Sequence, residues 1–235
     1  MEEPRRKKKQ KAFNPVSPVV VVLAAAMLLV ELVLQAGEHQ LIGGPMAAGW
    51  RLDLMRNFGF HKAVFDHILS GGTLEPKVIW PFLSYIFVNN GFAHVLISSV
   101  LILAMGKLIA DTFSSLAVVV LFVSCGLIGA LTFGVFSAPG GFPLVGSFPV
   151  FYGFIGTYTW IRIYEAVAKK QKLLPAFYPV IMFFILRTGF ALMYGLNNSW
   201  PADLAGLFTG FLLAYILAPD GKDRIKGWVK IIRTR

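Results

Sequence analysis

Apolar runs long enough to cross a bilayer recur along this chain, and the charged residues collect between them. A hydrocarbon core of about 30 Å takes about 20 residues of helix. By that measure the pattern predicts six spans, at 17–36, 92–110, 116–136, 148–163, 177–196 and 201–218, the fourth of them short. Helices are the economical reading, because an unpaired backbone group in lipid costs several kcal/mol. Residues 1–16 and 219–235 are left as basic tails flanking one transmembrane domain, 17–218. The expected fold class is an all-α membrane protein, a bundle of six transmembrane helices with a long interfacial first loop.

Composition agrees with that reading and excludes a soluble domain. Hydrophobic residues make up 56% of the 235 and charged ones 14%, with a mean hydropathy of +0.67. Soluble domains carry roughly 45–50% apolar and about 25% charged residues. The net charge of +10 would fit nucleic-acid binding if the cations formed one patch. They follow the predicted topology instead. Residues 1–16, the ends of spans two and four (Lys107, Arg162) with the loops that follow them, and the C-terminal tail hold seventeen of the 22 Lys and Arg. Arg51, Arg56, Lys62 and Lys77 lie in the first loop, and Arg187 falls inside span five. The positive-inside rule then puts both termini in the cytoplasm, with no nucleic-acid partner expected. The basic N-terminus reads as a topology determinant favouring anionic headgroups rather than as a cleavable signal.

The first loop, 37–90, mixes aromatics, Leu and Ile with scattered charges, which reads as segments lying in the membrane interface. Gly43-Gly44-Pro45 and Gly71-Gly72 punctuate it as turns. His39, His61 and His67 fall there, but none has the i, i+4 spacing with a carboxylate that marks a metal site. Cys125 is the lone cysteine, within span three, so no disulfide or cysteine-based metal site is expected. No phosphate-binding loop or haem motif is present, and no cofactor is expected. Nor are there the inverted repeats and paired broken helices of a transporter.

From Trp80 onward the chain resembles the rhomboid intramembrane serine proteases. The fourth span opens Gly146-Ser147-Phe148-Pro149-Val150-Phe151-Tyr152, with Gly156 four residues later. The sixth contains Ala202-Asp203-Leu204-Ala205-Gly206, followed by Gly210. The second carries Asn89, His94 and Ser98 on an H-x4-H-x3-N pattern, and Trp80-Pro81 stands where the family has Trp-Arg. The resemblance implies a six-helix bundle with a membrane-embedded first loop, and a Ser/His dyad that hydrolyses peptide bonds within the membrane. It also places that dyad. Tyr152 and Gly156 fix the register so that Phe148 stands at the nucleophile position, and Asp203 stands where the histidine would be. Ser98 replaces the oxyanion Asn. Dyad chemistry needs a hydroxyl nucleophile, a base and oxyanion donors. The scaffold glycines Gly156, Gly206 and Gly210 persist, with the small-residue spacing that lets helices approach in lipid. No catalytic residue is expected, and the pocket reads as His94, Ser98, Ser147, Tyr152 and Asp203.

One slip of register would make Ser147 an alternative nucleophile, but one residue turns a helical side chain by about 100°. Its other reading is an N-cap of span four. Ionisable groups in spans are costly and pair or face cavities. Asp203 either gains from the free N–H groups of its first helical turn or keeps the pocket polar through Tyr152 or Ser147. Arg187 is expected to point into the bundle and pair with Asp203 or Glu31. Carried over by the resemblance, the function is that of a pseudoprotease binding transmembrane segments of client proteins in a bacterial-type inner membrane, for quality control or assembly. The alternatives are an active rhomboid endopeptidase centred on Ser147, and a structural subunit of a larger membrane complex.

Overall fold

The computed structural model describes residues 16–194 and 198–218. In chain order the helices are α1 (Pro18–Glu38), α2 (Trp50–Phe58), α3 (Lys62–Leu69), α4 (Pro76–Ile79), α5 (Pro81–Ser84), α6 (Phe92–Ala110), α7 (Ser115–Phe136), α8 (Phe148–Ala168), α9 (Tyr178–Tyr194) and α10 (Trp200–Leu217). Four of them, α1, α6, α7 and α10, are long and apolar enough to cross a membrane. Among the described residues the strand-like pairing is a single bridge, Phe60 with Leu144.

Each long helix shows one face to the bundle. On α1, Val20, Ala24, Met27, Glu31 and Leu34 are buried, at the three- and four-residue steps that share a helix face. Val22, Leu29 and Leu32 between them face outward, as apolar side chains do against lipid. Pro18 opens α1 at a position where a missing N–H costs nothing. Ser114 caps α7 by accepting the Ala117 N–H at 3.3 Å.

The helix expected as the fourth span, α8, differs from the rest. From Pro149 to Thr157 every residue of α8 is buried, and a helix covered all round sits at the centre of its fold. The helix itself continues to Ala168, past the expected end of the apolar span near residue 163. The exposed pairs Arg162–Glu165 at 3.1 Å and Lys169–Glu165 at 3.7 Å support the extra turn at helical spacing. The expected end of span five at 196 lies outside the described residues, α9 being described to Tyr194, as do 1–15 of the N-terminal tail and all of the C-terminal tail.

The first loop does more than lie in the interface. Met55, Phe60, Tyr85 and Ile86 are buried. The Tyr85 hydroxyl donates to the Gly126 carbonyl on α7 at 2.9 Å, and its own carbonyl accepts the Gly146 N–H at 2.9 Å. Loop one is thereby fastened to the segment that opens α8. Sequence pattern alone could not separate these inward aromatics from exposed ones such as Trp80.

Candidate functional site

The site lies where α6, α8 and α10 begin and α9 ends, and a seam of glycines fixes its frame. A side chain on Gly206 would meet the Pro149 carbonyl, one on Gly210 the Gly153 carbonyl, and one on Gly156 the Leu207 carbonyl. The backbones of α8 and α10 are therefore in direct contact, as small residues permit in lipid. Thr157 stitches the seam, its hydroxyl 3.0 Å from both the Gly153 and Gly210 carbonyl oxygens. Gly206 on Pro149 and Gly210 on Gly153 share one offset, so Asp203, one turn before Gly206, lies toward the start of α8.

Gly146 adopts φ +92°, a conformation that favours glycine. A side chain there would also strike the His94 ring. Phe148, at the nucleophile position, packs its ring on His94 with centroids 5.1 Å apart. The His94 Nδ1 accepts the Asn90 N–H at 3.4 Å. Ser147 sits at the N-cap of α8, but its hydroxyl makes no capping bond. It is fully buried and has no hydrogen-bond partner among the described residues. The Ser98 hydroxyl, one turn past His94 on α6, is likewise buried and unpartnered. Among the described residues no hydroxyl is hydrogen-bonded to an imidazole.

Asp203 is fully buried in the first turn of α10. Its Oδ2 is ion-paired with Arg187 Nη1, while Oδ1 has no hydrogen-bond partner among the described residues. Arg187 Nη2 also reaches the Ser199 hydroxyl at 3.3 Å, and the guanidinium interacts with the Tyr152 hydroxyl. That hydroxyl donates to the Phe183 carbonyl at 3.3 Å. Tyr152 and Ser147 are thus not the direct partners of Asp203.

Glu31 does not join this pair. It is held by Arg51 of the first loop, whose Nη2 and Nη1 reach its two carboxylate oxygens at 2.7 and 2.9 Å. The same guanidinium donates to Glu38 at 2.6 Å and to the Asn89 carbonyl at 3.1 Å, and Gln35 donates to Glu31 at 2.9 Å. The physical reason is reach: α2 lies against α1, whereas Arg187 is spent on α10. Among the described residues no group of three metal-ligating side chains occurs, and His39, His61 and His67 stay apart in the first loop.

This geometry can be compared with known proteins. The family model for the rhomboid domain matches residues 76–220, more than half of the chain. The chain belongs to the rhomboid family. It is a multi-pass membrane protein by that match and by its apolar helices. It is also 23% identical over 151 residues to "RHOMBOID-like protein 5" of Arabidopsis thaliana, an alignment covering 62% of this chain and 48% of that protein. The chain thus spans about half the length of that curated relative.

The match with the rhomboid model begins at Pro76, so it takes in the glycine seam and the Asp203 pocket but leaves out Arg51 and Glu31. Arg51 is the functional-site neighbour that sequence reasoning missed. A signal existed: Glu31 lies on the buried stripe of α1, and a buried carboxylate requires a cation. Nothing in the spacing distinguished Arg51 from Arg56 or Lys62 as its source.

Proposed function

We propose that this rhomboid-family chain is a pseudoprotease that binds transmembrane segments of client proteins, with α8 and α9 completing six spans. Both termini lie in the cytoplasm of a bacterial-type inner membrane, as the distribution of basic residues supports. One observation carries the loss of proteolysis: Phe148 fills the nucleophile position with a ring packed at a tilt against His94. Two more support it. Asp203, at the position of the general base, is tied up by Arg187, and the neighbouring Ser147 hydroxyl meets no base among the described residues. An intact dyad geometry would place the hydroxyl within about 2.6–3.2 Å of its base.

What remains is a bundle that offers apolar helix faces beside a polar pocket. Ile181, Met182 and Ile185 on α9 and Ile97 on α6 are exposed. The client-binding part of the reading rests on the family's habit of admitting transmembrane helices, an argument from fold rather than from chemistry.

The test uses the purified protein in liposomes with a promiscuous transmembrane substrate, and photocrosslinkers in place of Ile97 and Ile181 in cells. The expected result is no cleavage above background, together with crosslinks to membrane polypeptides at both positions. Cleavage lost in Ser147→Ala would instead establish an active endopeptidase, and crosslinks to lipid alone would remove the client.

A further inference from the structure

We propose that the Asp203 pocket recognises a basic side chain carried within a client's transmembrane helix, which takes the place of Arg187 on the Asp203 carboxylate. The inference rests on the client-binding reading above and names the class of client.

Three buried polar side-chain atoms in the helices around Asp203 lack partners among the described residues. Asp203 Oδ1, Ser147 Oγ and Ser98 Oγ are all buried with no hydrogen-bond partner among the described residues. They belong to the first turn of α10, the N-cap of α8 and α6 respectively. The nearby Tyr85 hydroxyl is already committed to the Gly126 carbonyl. An unsatisfied oxygen on a buried carboxylate is the costly kind of orphan, because the charge raises the desolvation penalty. What satisfies it is a donor, and above all a cationic one.

The two partners of the existing ion pair are held unequally. Asp203 stands on α10, whose backbone is locked to α8 along the glycine seam. Arg187 stands on α9, which touches the bundle through Phe183 against Phe151 and Phe184 against Tyr152. Along its length α9 also presents an open apolar surface formed by residues such as Ile181, Phe184 and Ile185. The fixed partner is the carboxylate and the replaceable one is the guanidinium. A client's Lys or Arg would exchange one cation for another. No new charge is then buried in the protein, and the client's own charge, expensive in lipid, gains a partner. A client without a donor has no such gain, so the pocket discriminates.

The experiment reconstitutes the full chain in uncharged phosphatidylcholine nanodiscs and measures energy transfer to labelled Leu/Ala transmembrane peptides. The peptides differ at one site in the outer third, which carries Lys, Leu or Glu. The Lys peptide is expected to bind about tenfold more tightly than the Leu peptide, a ratio within what one charged partner supplies. Arg187→Gln should strengthen Lys-peptide binding several-fold by removing the competing cation. The double variant Arg187→Gln/Asp203→Asn should erase the preference without leaving a lone buried charge. Equal binding of Lys and Leu peptides would overturn this inference and leave client binding standing. Preference for the Glu peptide would overturn it in favour of Arg187 as the recognising group. Failure of all three to bind would remove the client-binding reading as well.

Discussion

Gly210→Leu is expected to prevent the bundle from assembling, with a loss of at least about 3 kcal/mol, the upper end of what overpacking costs. Ordinary overpacking pushes on side chains, which can change rotamer. At Gly210 the first added carbon already meets the Gly153 carbonyl, so α8 and α10 must separate as units. Separation breaks the Thr157 bond to the Gly210 carbonyl and pulls Gly206 away from Pro149. It also moves Asp203 away from Arg187. The control is Gly189→Leu on α9, where an added side chain meets nothing and should leave stability within about 0.5 kcal/mol. The measurement is thermal unfolding in detergent, with monodispersity on size exclusion as the check for folding. Equal stability of the two variants would show that the α8–α10 seam is not what holds the fold.

The seam was legible in the sequence because its signal is periodic. Gly206 and Gly210 repeat at four residues, and Gly156 follows Tyr152 at the same step, so close helix approach could be expected before any coordinates. The helix starts at Phe92 and Phe148 were legible for a related reason: apolar runs have sharp edges where turns and charges begin. The first loop was not. Its contacts join residues distant in the chain, such as Phe60 with Leu144 and Tyr85 with Gly126, and no local pattern encodes which aromatic turns inward. The pocket divides the same way. Phe148 and Asp203 could be placed by motif register, but the orphaned state of Ser147 and Ser98 depends on how three helices come together. The extension of α8 to Ala168 was missed because hydropathy reports where lipid ends, whereas a helix ends where its backbone bonding does.

Arg51→Met is expected to cost about 3–5 kcal/mol, the range for removing one partner of a buried ion pair. Arg51 is mostly covered, with 12% of its side chain exposed, and Glu31 is covered almost completely at 1%. Its guanidinium is held above its ordinary pKa chiefly by the hydrogen bonds to Glu31, against the opposing effect of burial, so it stays charged at every practical pH. Methionine approximates the stem but leaves the Glu31 carboxylate buried with Gln35 as its one remaining donor among the described residues. The Asn89 carbonyl, which sets the entry to α6 just before His94, loses its donor as well. A merely local contact would cost less and would stay local. The discriminating variant is Glu31→Leu/Arg51→Met, which removes both buried charges. It should recover most of the lost stability, since replacing a buried pair by apolar side chains is often neutral or better. If the double variant is instead as unstable as Arg51→Met, the bonds to Glu38 and Asn89 carry the clasp and the Glu31 pair does not. Protease accessibility of the first loop gives a second readout: cleavage near Gly43-Gly44 should rise in Arg51→Met and fall back in the double variant.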